Sequence, residues 1–130
     1  MTKDIEQQIA EVSTNFKRGA TEMLLLSLLR TKEQYAYELT KELKHTSLGL
    51  FDIQGPSLYT ALYRMEQKGF VATREEQAGR RIRVYYSILP EGEVYLDRLI
   101  AEYESITAGI HAVLDKRAAQ KENEGGMQDD

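Results

Sequence analysis

Residues 55–88 read GPSLYTALYRMEQKGFVATREEQAGRRIRVYYSI, and the fold is decided there. Pro56 suits the first helical position, where a missing N–H has no partner to lose, and Gly69 suits the residue just past a helix end. The pair predicts a helix from about Pro56 to Lys68. Within it Leu58, Ala61, Leu62 and Met65 recur at helical spacing on one face. Ser57, Thr60, Tyr63, Arg64 and Gln67 fall on the opposite face, and each can hydrogen-bond or carry charge. After Gly69, Phe70 to Thr73 is short and β-prone. Ile82, Val84, Tyr86 and Ile88 then alternate with Arg81, Arg83, Tyr85 and Ser87 in the manner of a half-buried strand. Between the two, Glu75 to Arg81 is expected to form a polar turn.

A helix with a polar outer face, followed by a two-stranded wing with an arginine tip, is the arrangement that puts a helix in the DNA major groove and cations beside phosphate. The expected fold class is mainly α with a small β-wing: a winged helix-turn-helix, with dimerisation helices at its N- and C-terminal ends. The candidate DNA contacts are Ser57, Tyr59, Thr60, Tyr63, Arg64 and Lys68 on the helix, with Arg80 and Arg81 at the wing tip. Spacing alone fits a solvated helix face equally well; the arginine tip beside it favours DNA contact. Tyr59 lies at the flank, where packing is an equal alternative. Lys17, Arg18 and Tyr37 are further candidates for phosphate.

Working outward, Ile5, Ile9, Val12 and Phe16 follow spacings of four, three and four, one narrow apolar stripe on a polar helix that must be buried somewhere. Lys17, Arg18 and Gly19 are expected to interrupt it. Ala20 to Leu29 then forms a core helix that is apolar almost all round. Thr31 to Gln34 reads as a polar break. Tyr35 to His45 is amphipathic, with Ala36, Leu39 and Leu43 on one side, and supplies the first helix of the helix-turn-helix. For Thr46 to Gly55 two outcomes stay open: local packing of Leu48, Leu50, Phe51 and Ile53, or a short strand. From Pro90 to about Arg117 one long helix is expected. Leu96, Leu99, Tyr103, Ile106, Ile110 and Val113 step by three, four, three, four and three along it, a short heptad-like seam. The two stripes together have the look of a dimer interface. The expected organisation is an N-terminal helix over 1–18, a DNA-binding domain over 19–89, a dimerisation helix over 90–118 and a disordered tail over 119–130.

Composition narrows the classes. The net charge of the 130-residue chain is −4, which weighs against indiscriminate binding to nucleic acid, but its distribution is uneven. Residues 74–83 carry Arg74, Arg80, Arg81 and Arg83 against Glu75 and Glu76, while the last ten residues hold acid. Absence of cysteine excludes disulfides and thiolate metal sites. No apolar run is long enough to span a bilayer, and a cytoplasmic protein is expected. His45 and His111 have no carboxylate at ligand spacing, and no catalytic triad, glycine-rich phosphate loop or zinc motif is present. Neither a metal, a cofactor nor an enzymatic activity is expected.

These residues resemble the PadR-like bacterial transcriptional regulators. The match runs from Phe16-Lys17-Arg18-Gly19 through Met23 to Leu29, Tyr35-Ala36-Tyr37-Glu38-Leu39 and Ser57 to Gly69, and on through Arg83-Val84-Tyr85-Tyr86-Ser87-Ile88 to Glu91-Gly92. The short C-terminal region is similar to the smaller branch of that family, with one long helix after the wing. The resemblance implies a homodimeric repressor on double-stranded DNA, with an inverted-repeat operator and a C-terminal helix that crosses onto the other subunit. It also implies a small aromatic or amphipathic inducer, since some relatives release DNA on binding one. Two departures stand out: Leu89 replaces the usual threonine cap of the long helix, and no tryptophan is present. Tyr103 sits at about the position where drug-binding relatives look as if they stack a ligand on tryptophan. The alternatives from other classes are a small-molecule-binding dimer and a protein-interaction module.

Overall fold

The computed structural model describes the backbone of residues 2–126 and the side chains of residues 4–116. Its elements are α1 (Thr2–Thr31), β1 (Gln34–Tyr35), α2 (Ala36–Thr46), α3 (Gly55–Gln67), β2 (Val71–Ala78), β3 (Arg81–Ile88) and α4 (Pro90–Gly126). Residues up to Leu96 form one compact unit, and the remainder of α4, from Asp97, forms a second. In the first unit the three strands make an antiparallel sheet in the order β1-β3-β2.

The core of the first unit is mainly aliphatic and is drawn from all four helices and β2, with Tyr86 of β3 as its aromatic member. Leu25, Leu26 and Leu29 of α1, Leu39 and Leu43 of α2, Leu58, Leu62 and Met65 of α3, Val71 of β2 and Leu96 of α4 are all buried. Each such side chain removed from water contributes roughly 2 kcal/mol. That burial is what holds α2, since a helix of 11 residues is too short to persist alone.

Several expectations are corrected. The break at Lys17-Arg18-Gly19 is absent: α1 runs unbroken through all three. One glycine inside a helix costs about 1 kcal/mol, and the leucines just beyond it, buried against α2 and α3, outweigh that. The polar break over Thr31 to Gln34 contains the start of a third strand, β1, with Gln34 paired to Tyr86 and Tyr35 to Tyr85. Gln34 is the buried polar residue of the core, and its Nε2 donates to the Leu28 carbonyl at 3.4 Å. Residues 47–54 form no strand. They close α2 by a Schellman turn, in which the Leu48 N–H donates to His45 and the Gly49 N–H to Lys44.

The expected polar turn is mostly strand. β2 continues through Glu75, Glu76 and Gln77, which face Val84, Arg83 and Ile82 on β3, and the hairpin closes on Gly79 and Arg80 alone. Gly79 has φ of +65° and Arg80 does not share it, the pattern of a type II′ turn. Because the wing is this long, its outer half leaves the core. Ile82 is 60% and Val84 37% exposed, so the half-buried strand expected from alternation is realised only near Tyr86. The tail expected over 119–130 is helical as far as Gly126. Ala118, Ala119, Gln120, Lys121 and Glu122 are good helix formers, which favours continuing α4 through them. Residues 127–130, also assigned to that tail, lie outside the described residues.

Candidate nucleic-acid interface

The presentation of α3 follows from its two ends. Pro56 opens it with the φ a helix requires. At the other end the N–H groups of Gly69 and Phe70 donate to the carbonyls of Glu66 and Met65 at 3.0 and 2.9 Å, with Gly69 at φ +79°. This turn sends the chain straight into β2, so helix and wing are set by one short connection.

Leu58, Leu62 and Met65 point into the core, which leaves Ser57, Thr60, Tyr63, Arg64 and Gln67 exposed, as the spacing predicted, and Tyr59 and Lys68 are exposed beside them. Relative to the core direction at 100° per residue, Thr60 and Gln67 project most directly outward, Tyr63 and Arg64 lie about equally far to either side of them, and Tyr59 sits at the flank. Tyr59 borders a concavity of about 480 Å³ that it shares with Tyr35 and Tyr37 at the start of α2 and with Arg81 and Arg83 of β3. Ser57, Thr60 and Arg64 border another, of about 770 Å³, with Lys17 and Arg18 of α1 and Phe51 of the connecting loop. The Thr60 hydroxyl donates to the Pro56 carbonyl at 2.9 Å, a bond that uses its proton and not its acceptor lone pairs.

The wing arginines divide into two kinds. Arg74 is consumed internally: its guanidinium donates to Glu33 just ahead of β1 and to Glu76 on its own strand, and lies 4.6 Å from the Tyr85 ring. The Arg74 bond holds the Glu33 carboxyl below the usual carboxylate range, and the two acids raise Arg74 further. Arg83 lies over the Tyr35 ring at 4.5 Å, and its guanidinium is raised chiefly by hydrogen bonding to Tyr85. Arg80 and Arg81 are exposed, and no carboxylate pairs with either among the described residues. Of the four wing arginines, these two are the ones engaged by neither an acid nor an aromatic ring among the described residues.

One connection has no local sequence signal. Arg64 Nη2 reaches Oε2 of Glu22 on α1 at 2.6 Å, and the Tyr95 hydroxyl donates to Oε1 of the same carboxylate at 3.1 Å. Burial and this hydrogen bond raise the Tyr95 phenol above its usual range, so it stays a donor.

Of the expected dimerisation residues, Ile5, Ile9, Val12 and Phe16 are exposed on α1, and Tyr103, Ile106, Ile110 and Val113 are exposed on α4. Leu99 is half-buried. Leu96 is a correction: it is fully buried within the first unit, because the opening turns of α4 belong to that core. No described helix is long and apolar enough to cross a membrane.

The chain is similar to a PadR family transcriptional regulator of Eggerthella lenta, at 27% identity and a TM-score of 0.80, over 86% of this chain and 96% of that one. It is also similar to a transcriptional regulator of Clostridium thermocellum, at 30% identity and a TM-score of 0.72, over 75% of this chain and 96% of that one. An uncharacterised protein of Lysinibacillus sphaericus is 28% identical over 96 residues, 73% of this chain and 88% of the relative. Residues 25–98, which hold the core, α3 and the whole wing, match the Transcriptional regulator PadR-like family. With the exposed face of α3 and the wing both inside the matched region, the chain belongs to the PadR-like family of transcriptional regulators.

Proposed function

We propose that the protein is a homodimeric repressor that binds an inverted-repeat operator in double-stranded DNA. The observation that carries this reading is the shared concavity between Tyr59 of α3 and Arg81 of the wing, beside a helix face whose exposed side chains are nearly all polar. α3 has 13 residues and is ~20 Å long, a size the major groove admits. Thr60, Tyr63, Arg64 and Gln67 would read base edges, with Ser57, Tyr59 and Lys68 around them, while Arg80 and Arg81 neutralise phosphates. The exposed stripes of α1 and α4 supply apolar surface for a second copy, and in a two-fold dimer the recognition helices would enter successive major grooves ~34 Å apart. Repression is the direct outcome of such occupancy at a promoter, because other proteins are excluded from the same grooves. Tyr103, exposed on α4, is the side chain on which an aromatic inducer would stack.

Selection from a random pool of duplexes, followed by fluorescence anisotropy at two salt concentrations, tests the reading. An enriched inverted repeat that is bound more tightly than scrambled DNA at the higher salt, and that lowers expression of a reporter placed behind it, supports a specific repressor. Equal, salt-abolished binding to every duplex would leave only phosphate attraction and overturn the proposal.

A further inference from the structure

Arg64 is 58% exposed, yet it is tethered to a carboxylate that is only 18% exposed. Glu22 has both oxygens occupied, one by Arg64 and one by the Tyr95 hydroxyl. The Tyr95 ring is itself stacked on Phe70, with centroids 4.1 Å apart and planes 12° from parallel. Phe70 is the residue whose N–H closes the end of α3. The carboxylate therefore has a single orientation, set by α1, α4 and the turn after α3 together.

A guanidinium carries five N–H donors in a rigid fork, and one bond to Glu22 leaves most of them unused on the exposed side. A free arginine on a helix edge loses rotamer entropy when it binds, whereas one already held loses little. We propose that Glu22 is a positioning residue for sequence recognition: it holds Arg64 so that the remaining donors face the DNA groove, and Tyr95 holds Glu22. This role rests on the DNA-binding reading given above.

The test compares wild type, Glu22→Gln, Tyr95→Phe, Arg64→Ala and the double variant Glu22→Gln/Arg64→Ala on a duplex selected by the wild type and on its scrambled counterpart. Thermal melts establish that each variant is folded, and ¹⁵N relaxation at Arg64 Nε reports the order of that side chain without DNA. Glu22→Gln is expected to cut the ratio of selected to scrambled affinity at least about fivefold, the low end of what one good base contact discriminates. Tyr95→Phe, which removes only a hydroxyl, should lower it less and in the same direction. With Arg64 already removed, Glu22→Gln should change the ratio no further. Arg64 Nε should be ordered in the wild type and mobile in Glu22→Gln. An unchanged or raised ratio in Glu22→Gln, an equal loss in the Arg64→Ala background, or an Arg64 Nε already mobile in the wild type would each overturn the role of Glu22 alone. A wild type that discriminates no duplex would count against the regulator reading and remove this role with it.

Discussion

Gly92 of α4 lies directly against the backbone of Phe70. A β-carbon placed on it would overlap the Phe70 carbonyl oxygen and come within 2.9 Å of Ile88 Cγ1. That oxygen accepts the Leu89 N–H at 2.9 Å, so it cannot withdraw without loosening the start of α4 from the end of α3. Gly92→Ala is expected to cost about 1–3 kcal/mol in urea denaturation, the usual penalty of overfilling a packed contact. A wild-type midpoint would show instead that α4 can slide on the sheet.

Leu48 offers the opposite case. It occupies the left-handed region at φ +57°, is 95% exposed, and sits where a Schellman turn ordinarily has glycine. Leu48→Gly should raise stability by about 1 kcal/mol, because the strain of a branched residue in that region is relieved and almost no packing is lost. Chemical denaturation at matched protein concentration reads this directly; a loss of stability would mean that Leu48 is covered in solution.

The Glu33 and Arg74 pair makes the wing base sensitive to acid. The carboxyl of Glu33 is lowered in the folded protein, principally by its hydrogen bond from Arg74. The unfolded chain therefore takes up the proton more readily. This contribution is fully present above the unfolded carboxylate range and is lost as pH falls through the lowered folded value. An NMR titration should find the Glu33 carboxyl below its ordinary range in the wild type and returned toward it in Arg74→Ala; identical titrations in the two proteins would break the assignment.

The two kinds of wing arginine predict different salt dependence. Arg81→Ala should weaken binding to all duplexes alike and reduce the slope of log affinity against log salt by about 1, the signature of one lost phosphate contact. Arg74→Ala should leave that slope unchanged, since its charge is already matched by Glu33 and Glu76. Anisotropy over a salt series separates them, and equal slopes for both variants and the wild type would remove the wing tip from the interface.

Apolar residues on α4 should likewise separate by what they touch. Ile106→Glu places a charge on the exposed stripe and is expected to turn a dimer into a monomer in sedimentation velocity while the melt of the first unit persists. Leu96→Ala empties a core position and should cost about 2–5 kcal/mol instead. An Ile106→Glu protein that still sediments as a dimer would move the interface elsewhere.

Much of this was readable along the chain. Pro56 and Gly69 bracket α3 to within a residue, and the leucine spacing already assigns its inner and outer faces, because caps and a 3.6-residue period depend on neighbours only a few positions away. The same locality exposed the stripe on α4 and the arginines at the hairpin tip. It misread Gly19, whose cost as an isolated glycine is a local quantity while the core that absorbs it is not. It also misread Glu75 to Gln77, polar residues that become strand only because β3 lies beside them.

What tertiary structure alone decided are the partners of side chains far apart in sequence: Gln34 beside Tyr86, Glu33 beneath Arg74, and Glu22 joined at once to Arg64 and Tyr95. An ion pair leaves no periodicity, and any of the 17 lysines and arginines could have met any of the 21 acids. Packing chose among them. Burial of the leucine core set α1, α3 and α4 side by side within the first unit, and only then did one carboxylate come within hydrogen-bond reach of α3.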